Sequence, residues 1–200
     1  MSSAVTPSAS RQQIRQQIRQ QRRTLTDEQQ RHFATQLLQQ CQQAETLGNA
    51  QHIALYLAND GELDTQPVID WLWQQGKSVY LPVLHPFSKG HLLFLHYTAE
   101  TRMTLNKYQI REPQLDIRLV KPAHQLDVIC TPLVAFDASG QRLGMGGGYY
   151  DRTLSNWHRH QQGPRPVGLA HDCQQVDSLP SQAWDVPLPE IITPSRHFRW

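Results

Sequence analysis

The chain has 200 residues and a formal charge of +2 from 19 basic and 17 acidic side chains, a length that suits one domain with a real core. So small a net charge does not argue for a nucleic-acid protein, and no apolar run approaches the roughly 20 residues that span a bilayer. Cys41, Cys130 and Cys173 stand far apart with no C-x-x-C pair, which excludes a disulfide framework and a cysteine zinc site and fits reduced thiols in the cytoplasm.

Residues 1–10 are small and polar and read as a disordered tail, leaving 11–200 as one domain. Arg11 to Arg23 are good helix formers, with Arg11, Arg15, Arg19 and Arg22 on one face. Alone, this is a solvated basic helix. A start rich in Ser and Arg with no acid before Asp27 is also how a transit peptide reads, but Ile14 and Ile18 give it too thin an apolar side. Thr26-Asp27-Glu28-Gln29 forms a capping box. Behind it Phe33, Ala34, Leu37, Leu38, Cys41 and Ala44 make a core-facing stripe that ends near Leu47-Gly48.

His52 to Ala58 reads as the first strand and Asn59-Asp60-Gly61 as a turn. Asp64 or Thr65 then caps a helix to Gln75, with Pro67 in its first turn and Gly76 as its stop. Lys77 to Leu84 is the next strand, and strand, helix, strand at this spacing is a right-handed parallel crossover. Functional groups in such sheets collect beyond the carboxyl ends of strands. Asp60 and Asp64 stand there but read as turn and cap residues.

His91 to Tyr97 is a further strand. His85, His91 and His96 lack any metal-ligand spacing, and His91 and His96 fall on opposite strand faces, so all three read as surface or packing residues. Thr98 to Gln125 is punctuated by proline and predicted to cross the surface without regular structure. Leu126 to Phe136, the most apolar run, reads as a buried central strand with Pro132 marking an irregularity. Tyr150 to His160 is a helix, Pro166 to His171 a strand with His171 and Gln174 at its end, and Glu190 to Thr193 a last short strand. The order predicts an α/β fold. It is a single-domain, open, mostly parallel sheet flanked by helices, in the Rossmann-like three-layer style of sugar-phosphate isomerases and CoA-transferases.

Between the apolar run and the helix lies Gly140-Gln141-Arg142-Leu143-Gly144-Met145-Gly146-Gly147-Gly148-Tyr149-Tyr150-Asp151-Arg152. Four glycines in five positions let bare backbone approach a ligand, and successive N–H groups before a helix form an anion-binding concavity. Arg142 before the loop, with Asp151 and Arg152 after it, suits a nucleotide phosphate with a bound metal. The loop fits neither G-x-G-x-x-G nor the P-loop. A tight strand-to-helix turn with aromatic packing is the plainer alternative.

Arg-Leu-Gly-Met-Gly-Gly-Gly-Tyr-Tyr-Asp-Arg resembles the signature of the 5-formyltetrahydrofolate cyclo-ligase (5,10-methenyltetrahydrofolate synthetase) family. The likeness extends to Asp60-Gly61-Glu62-Leu63-Asp64-Thr65, Thr131-Pro132-Leu133-Val134-Ala135-Phe136-Asp137 and Trp184-Asp185, and so spans about Arg11 to Thr193. It implies a monomer acting on small molecules: ATP and magnesium drive closure of 5-formyltetrahydrofolate to 5,10-methenyltetrahydrofolate, with release of ADP and phosphate. By the same resemblance, Arg11, Arg15, Arg142, Leu143, Gly144, Met145, Gly146, Gly147, Gly148, Tyr149 and Tyr150 meet ATP. Leu57, Glu62, Met145, Gly146, Gly147, Gly148 and Tyr149 meet folate; Asp151 and Asp185 hold magnesium. Arg142, Tyr149 and Tyr150 are then the candidate catalytic residues. Arg11 stands where the family commonly has Lys. Family members often carry Tyr or Arg at the Met145 position and some carry Lys at the Gly147 position, so this loop must take positive charge from elsewhere. Two rivals are a sugar-phosphate isomerase that needs no ATP and a nucleic-acid module led by the N-terminal arginines, the latter lacking interleaved aromatics.

Overall fold

A capping box opens the chain as described. The structure, a computed structural model, is described for residues 10–200, so the tail expected over 1–10 lies outside the described residues except for Ser10. Ser10 N–H donates to Gln13 Oε1 at 2.7 Å and Gln13 N–H to Ser10 Oγ at 3.3 Å, starting helix α1, Arg11–Arg23. The predicted Thr26 box starts α2, Asp27–Gln43. That helix does not run on to Gly48: Ala44 turns extended, and α3, Glu45–Asn49, follows, keeping Leu47 on the core side with Leu37 and Cys41.

Strand β1 is shorter than its apolar run, His52–Ala54, and is followed by α4, Gln66–Gln74, β2, Ser78–Leu84, and β3, Leu92–Tyr97. Thr65 does not cap α4 with its side chain; its hydroxyl donates to Tyr56 O, while Asp64 Oδ1 accepts from Gln66 N–H at 3.0 Å. The stretch expected to lack structure holds a hairpin, β4, Met103–Leu105, with β5, Arg111–Pro113, and then β6, Val120–Lys121. Strands of three and two residues with little buried side chain leave no alternation to read. The apolar run Leu126 to Phe136 is not one strand either. β7, Val128–Thr131, ends at Pro132, which has no N–H for the ladder. β8, Ala135–Phe136, then pairs antiparallel with β9, Arg142–Leu143. Helix α5, Tyr149–His160, and strands β10, Arg165–Leu169, and β11, Glu190–Ile192, match expectation; β12, His197–Arg199, does not appear in it.

Eight strands form one sheet in the order β12-β11-β10-β7-β1-β2-β3-β6. Pairing is parallel from β11 through β2 and antiparallel at β12, β3 and β6. Alternation along β1 sends Ile53 to one face, packed with Leu37, Leu72 and Val79, and Ala54 to the other, packed with Phe94, Ile129 and Leu154. Helices therefore cover both faces, giving the predicted three layers. From β1 the chain moves to β2, and from β7 it reaches β10 on the opposite side. The crevice between the carboxyl ends of β1 and β7 is thus the switch point where such sheets bind ligands.

Helix α1 closes one wall of that crevice. Ile14 and Ile18 pack on Val134, Ala135 and Leu143. Arg22, fully buried, donates to Leu133 O at 3.2 Å, Asp60 O at 3.1 Å and Asp60 Oδ2 at 3.2 Å. Arg19 and Arg23 also donate to the Asp60 carboxylate, each at 2.6 Å. Asp60 is more than the turn residue its sequence position suggested: it anchors three guanidinium groups of one helix. Asp60→Asn keeps the left-handed backbone (φ +54°), which Asn tolerates, and removes only the charge. Leaving a buried guanidinium short of its counter-ion should cost about 3 kcal/mol in a denaturant unfolding curve. A loss below about 0.5 kcal/mol would mean that the carbonyls alone satisfy Arg22.

Candidate active site

Beyond β1 the chain turns inward. Tyr56 is buried with its hydroxyl donating to Leu169 O at 3.2 Å, and Leu57 is half-buried at the edge of the core. Asn59 N–H donates to Glu62 Oε2 at 3.1 Å, and Glu62 Oε1 lies 4.0 Å from Arg22. Burial pushes the Glu62 carboxyl from 4.5 up to about 7, with Arg22 opposing it. Burial and then the nearby Glu62 charge push the Tyr56 and Tyr150 phenols well above their usual range. Glu62, Tyr56, Tyr150 and Arg22 thus share one poorly solvated recess. The family resemblance singled out Glu62 and Tyr150; Arg22 read only as part of a solvated basic face, and Tyr56 carried no signal of its own.

Beyond β7 the β8–β9 hairpin delivers the glycine loop to the same crevice. Gly146 (φ +102°) and Gly148 (φ +66°) take left-handed conformations that strain other residues. Gly148 is the N-cap of α5, so the loop does run into a helix N-terminus. A Cβ on Gly148 would also come within 2.9 Å of Arg152, whose guanidinium donates to Gly147 O and, at 2.8 Å, to Gly90 O. Arg152 is therefore a brace behind the loop. Met145 is exposed at the loop tip and Leu143 is buried beneath it.

The expected cations and carboxylates come together and are already paired. Arg15 Nε donates to Gly144 O at 2.7 Å. Arg11 grips Asp185 with both nitrogens, one at 2.9 Å, and reaches Pro180 O at 3.0 Å. Arg142, nearly buried, pairs with Asp151, whose Oδ1 also accepts from Val186 N–H at 3.4 Å. That bond sets Asp151 beside Asp185 in a single cluster. Burial pushes the Asp185 carboxyl up, but the Arg11 hydrogen bond and charge outweigh it and hold the group below its usual range. The Arg142 Nε is buried without a hydrogen-bond partner among the described residues. No group of three His, Cys, Asp or Glu side chains suited to a metal occurs among the described residues.

His171 and Gln174 stand beyond β10, as their position suggested. Gln174 Nε2 braces the crevice floor by donating to Leu133 O at 2.6 Å and Val134 O at 3.1 Å. His171 is buried edge-on to Phe33, and burial pushes its imidazole down to about 4, so it is neutral. His85 shapes a turn, accepting from Ser88 N–H at 3.0 Å, and His96 packs on Tyr80.

The raised Glu62 carboxyl sets a pH test. Its contribution to stability is complete below about pH 4.5 and is lost as pH rises through about 7. Glu62→Gln cannot ionise. It should match the unaltered chain near pH 4.5 and exceed it above pH 7 by about 2–3 kcal/mol, read from denaturant unfolding. A pH-independent difference would show that Glu62 is solvated like a surface carboxylate.

The profile of the 5-formyltetrahydrofolate cyclo-ligase family matches residues 7–194. A 5-formyltetrahydrofolate cyclo-ligase of Escherichia coli is 54% identical over 179 residues, covering 90% of this chain and 97% of its own. One from Haemophilus influenzae is 50% identical over 182 residues, covering 91% and 96%. The solved 5,10-methenyltetrahydrofolate synthetase of Aquifex aeolicus superposes with a TM-score of 0.79 at 25% identity, over 94% of this chain and 92% of that one. Sequence and architecture therefore agree, and this chain belongs to the 5-formyltetrahydrofolate cyclo-ligase family.

Proposed function

We propose that this chain closes 5-formyltetrahydrofolate to 5,10-methenyltetrahydrofolate at the expense of ATP, releasing ADP and phosphate. The observation that carries the reading is the crevice itself. An anion-binding glycine loop lined by Arg11, Arg15 and Arg142 opens beside a recess holding one partly buried carboxylate, Glu62. One half suits a polyphosphate, the other the amino and ring N–H donors of a pterin.

The chemistry asks for both halves. Attack of N10 on the formyl carbon must finally expel the formyl oxygen, a poor leaving group. Transfer of the γ-phosphoryl group to that oxygen makes it depart as phosphate. Catalysis of this kind works by positioning and by neutralising charge. The N–H groups of Gly144 to Gly148 and the three arginines would hold the triphosphate. Glu62 and Leu57 would fix the pterin; Tyr149 and Tyr150 would hold the reacting groups between them, away from water.

Asp151 and Asp185 fit a magnesium ion. They lie in one cluster, both are oxygen donors, and a hard ion that keeps most of its water needs only one or two carboxylates. Magnesium, when bound, neutralises charge on the phosphate oxygens. Arg11 and Arg142 now neutralise the two carboxylates, and the unpartnered Arg142 Nε is a donor left over for a phosphate oxygen. Arriving phosphates would draw both guanidinium groups over and free the carboxylates.

The ultraviolet absorbance of the methenyl product should rise only when 5-formyltetrahydrofolate, ATP and magnesium are all present. With the formyl oxygen isotopically labelled, one labelled atom per turnover should appear in released phosphate. Unlabelled phosphate would mean that solvent water hydrolyses ATP, and would sink the phosphorylated intermediate. The metal reading is better tested at Asp185 than at Asp151, because Asp151→Asn would strand the almost buried Arg142 whereas Arg11 is 20% exposed. Asp185→Asn should raise the magnesium needed for half-maximal rate about tenfold or more and leave cooperative melting intact.

A further inference from the structure

The β4–β5 hairpin reaches the glycine loop, and nothing in the reaction as described uses it. Its tip is built around one side chain. Asn106 Oδ1 accepts from Tyr108 N–H at 2.9 Å and Ile110 N–H at 3.2 Å, and its Nδ2 donates to Glu112 Oε2 at 3.0 Å. The same Glu112 oxygen accepts from Leu84 N–H at 3.3 Å, tying the tip to the end of β2. From that braced turn the Tyr108 hydroxyl meets the Tyr149 hydroxyl at 3.1 Å. Lys107 Nζ lies 5.0 Å from the centre of the Tyr108 ring. The Tyr149 hydrogen bond, and after it the Lys107 and Lys89 ammonium groups, hold the Tyr108 phenol below its usual range.

We propose that Lys107 and Tyr108 form the outer wall of the folate site, Tyr108 positioning the Tyr149 phenol and Lys107 binding the dicarboxylate end of the substrate. This rests on the folate reading above. The pterin end is the one complementary to the partly buried Glu62, so the dianionic end, too costly to bury, must face outward. Tyr150 packs inward against the core and Tyr149 meets the hairpin, so this side of α5 is the way out. The cations already named are spent elsewhere: Arg11 and Arg142 on carboxylates, Arg15 on Gly144 O, Arg152 on Gly147 O and Gly90 O. Lys107, at the hairpin tip beside Tyr108, is the charge the hairpin presents at the exit, with the Lys89 ammonium acting on the same phenol.

In the full chain, Lys107→Met should raise KM for 5-formyltetrahydrofolate about fivefold, the scale of one exposed charge pair, and leave KM for ATP unchanged. Lys107→Arg should restore it. With a substrate whose two tail carboxylates are methyl esters, Lys107→Met should have no effect. Tyr108→Phe, which removes only the partner of the Tyr149 hydroxyl, should lower kcat/KM for folate at constant KM for ATP. A rise in KM for ATP instead would make the tip a phosphate contact and overturn the proposal. Unchanged constants in both variants, with normal turnover by the unaltered chain, would overturn this inference alone. No turnover by the unaltered chain would overturn the folate reading and this one with it.

Discussion

A guanidinium cannot be buried without partners, and Arg22 is fully buried. Its two terminal nitrogens are met by Asp60 and the carbonyl of Leu133, which come from the segments following β1 and β7, while its Nε has no hydrogen-bond partner among the described residues. The two sides of the crevice are therefore held at a fixed separation by one side chain of a third element. Arg22 anchors the end of α1, and Ile14 and Ile18, packed on Val134, Ala135 and Leu143, lay its earlier turns along the crevice. Those turns then bring Arg15 to Gly144 and Arg11 to Asp185. A helix that looks solvated when read alone is the clamp that assembles the site.

The clamp leaves the site close to electroneutral before any ligand arrives. Two carboxylates face two guanidinium groups, and a third arginine rests on a loop carbonyl. Such pairs keep like charges from repelling in a poorly solvated place, and they hold each group near where a phosphate or a metal would need it. A polyanion and a dication entering together would exchange partners rather than create charge. This is the physical reason that carboxylates and arginines are interleaved here instead of being segregated.

The parts legible in the sequence were those whose physics is local. The Thr26 capping box, the stripe along α2, the α4 crossover and the glycine loop each announce themselves within a few residues. The loop carries most because left-handed backbone at Gly146 and Gly148 restricts residue type directly. What stayed hidden depends on contacts distant in sequence. Asp60 reads as a turn residue until Arg19, Arg22 and Arg23 are seen to converge on it. Leu126 to Phe136 reads as one strand because composition cannot show β8 leaving the sheet to pair with β9. The hairpin at Met103 to Pro113 is held by Asn106 and Glu112 rather than by apolar alternation, and periodicity is blind to that.

The tyrosine pair shows how much one turn of helix decides. Successive residues on a helix point about 100° apart, so Tyr149 and Tyr150 at the start of α5 cannot face the same surroundings. Tyr150 goes inward, where burial and Glu62 raise its phenol; Tyr149 goes outward to a phenol on another element. Gly148 as the N-cap sets that rotation, and Arg152, one turn on, braces the loop that precedes it. A residue inserted between Gly148 and Tyr149 would turn both rings away from their partners while preserving every residue of the signature. Spacing to the cap, more than the identity of the aromatic residues, is thus what divides the crevice into an inner recess and an outer mouth.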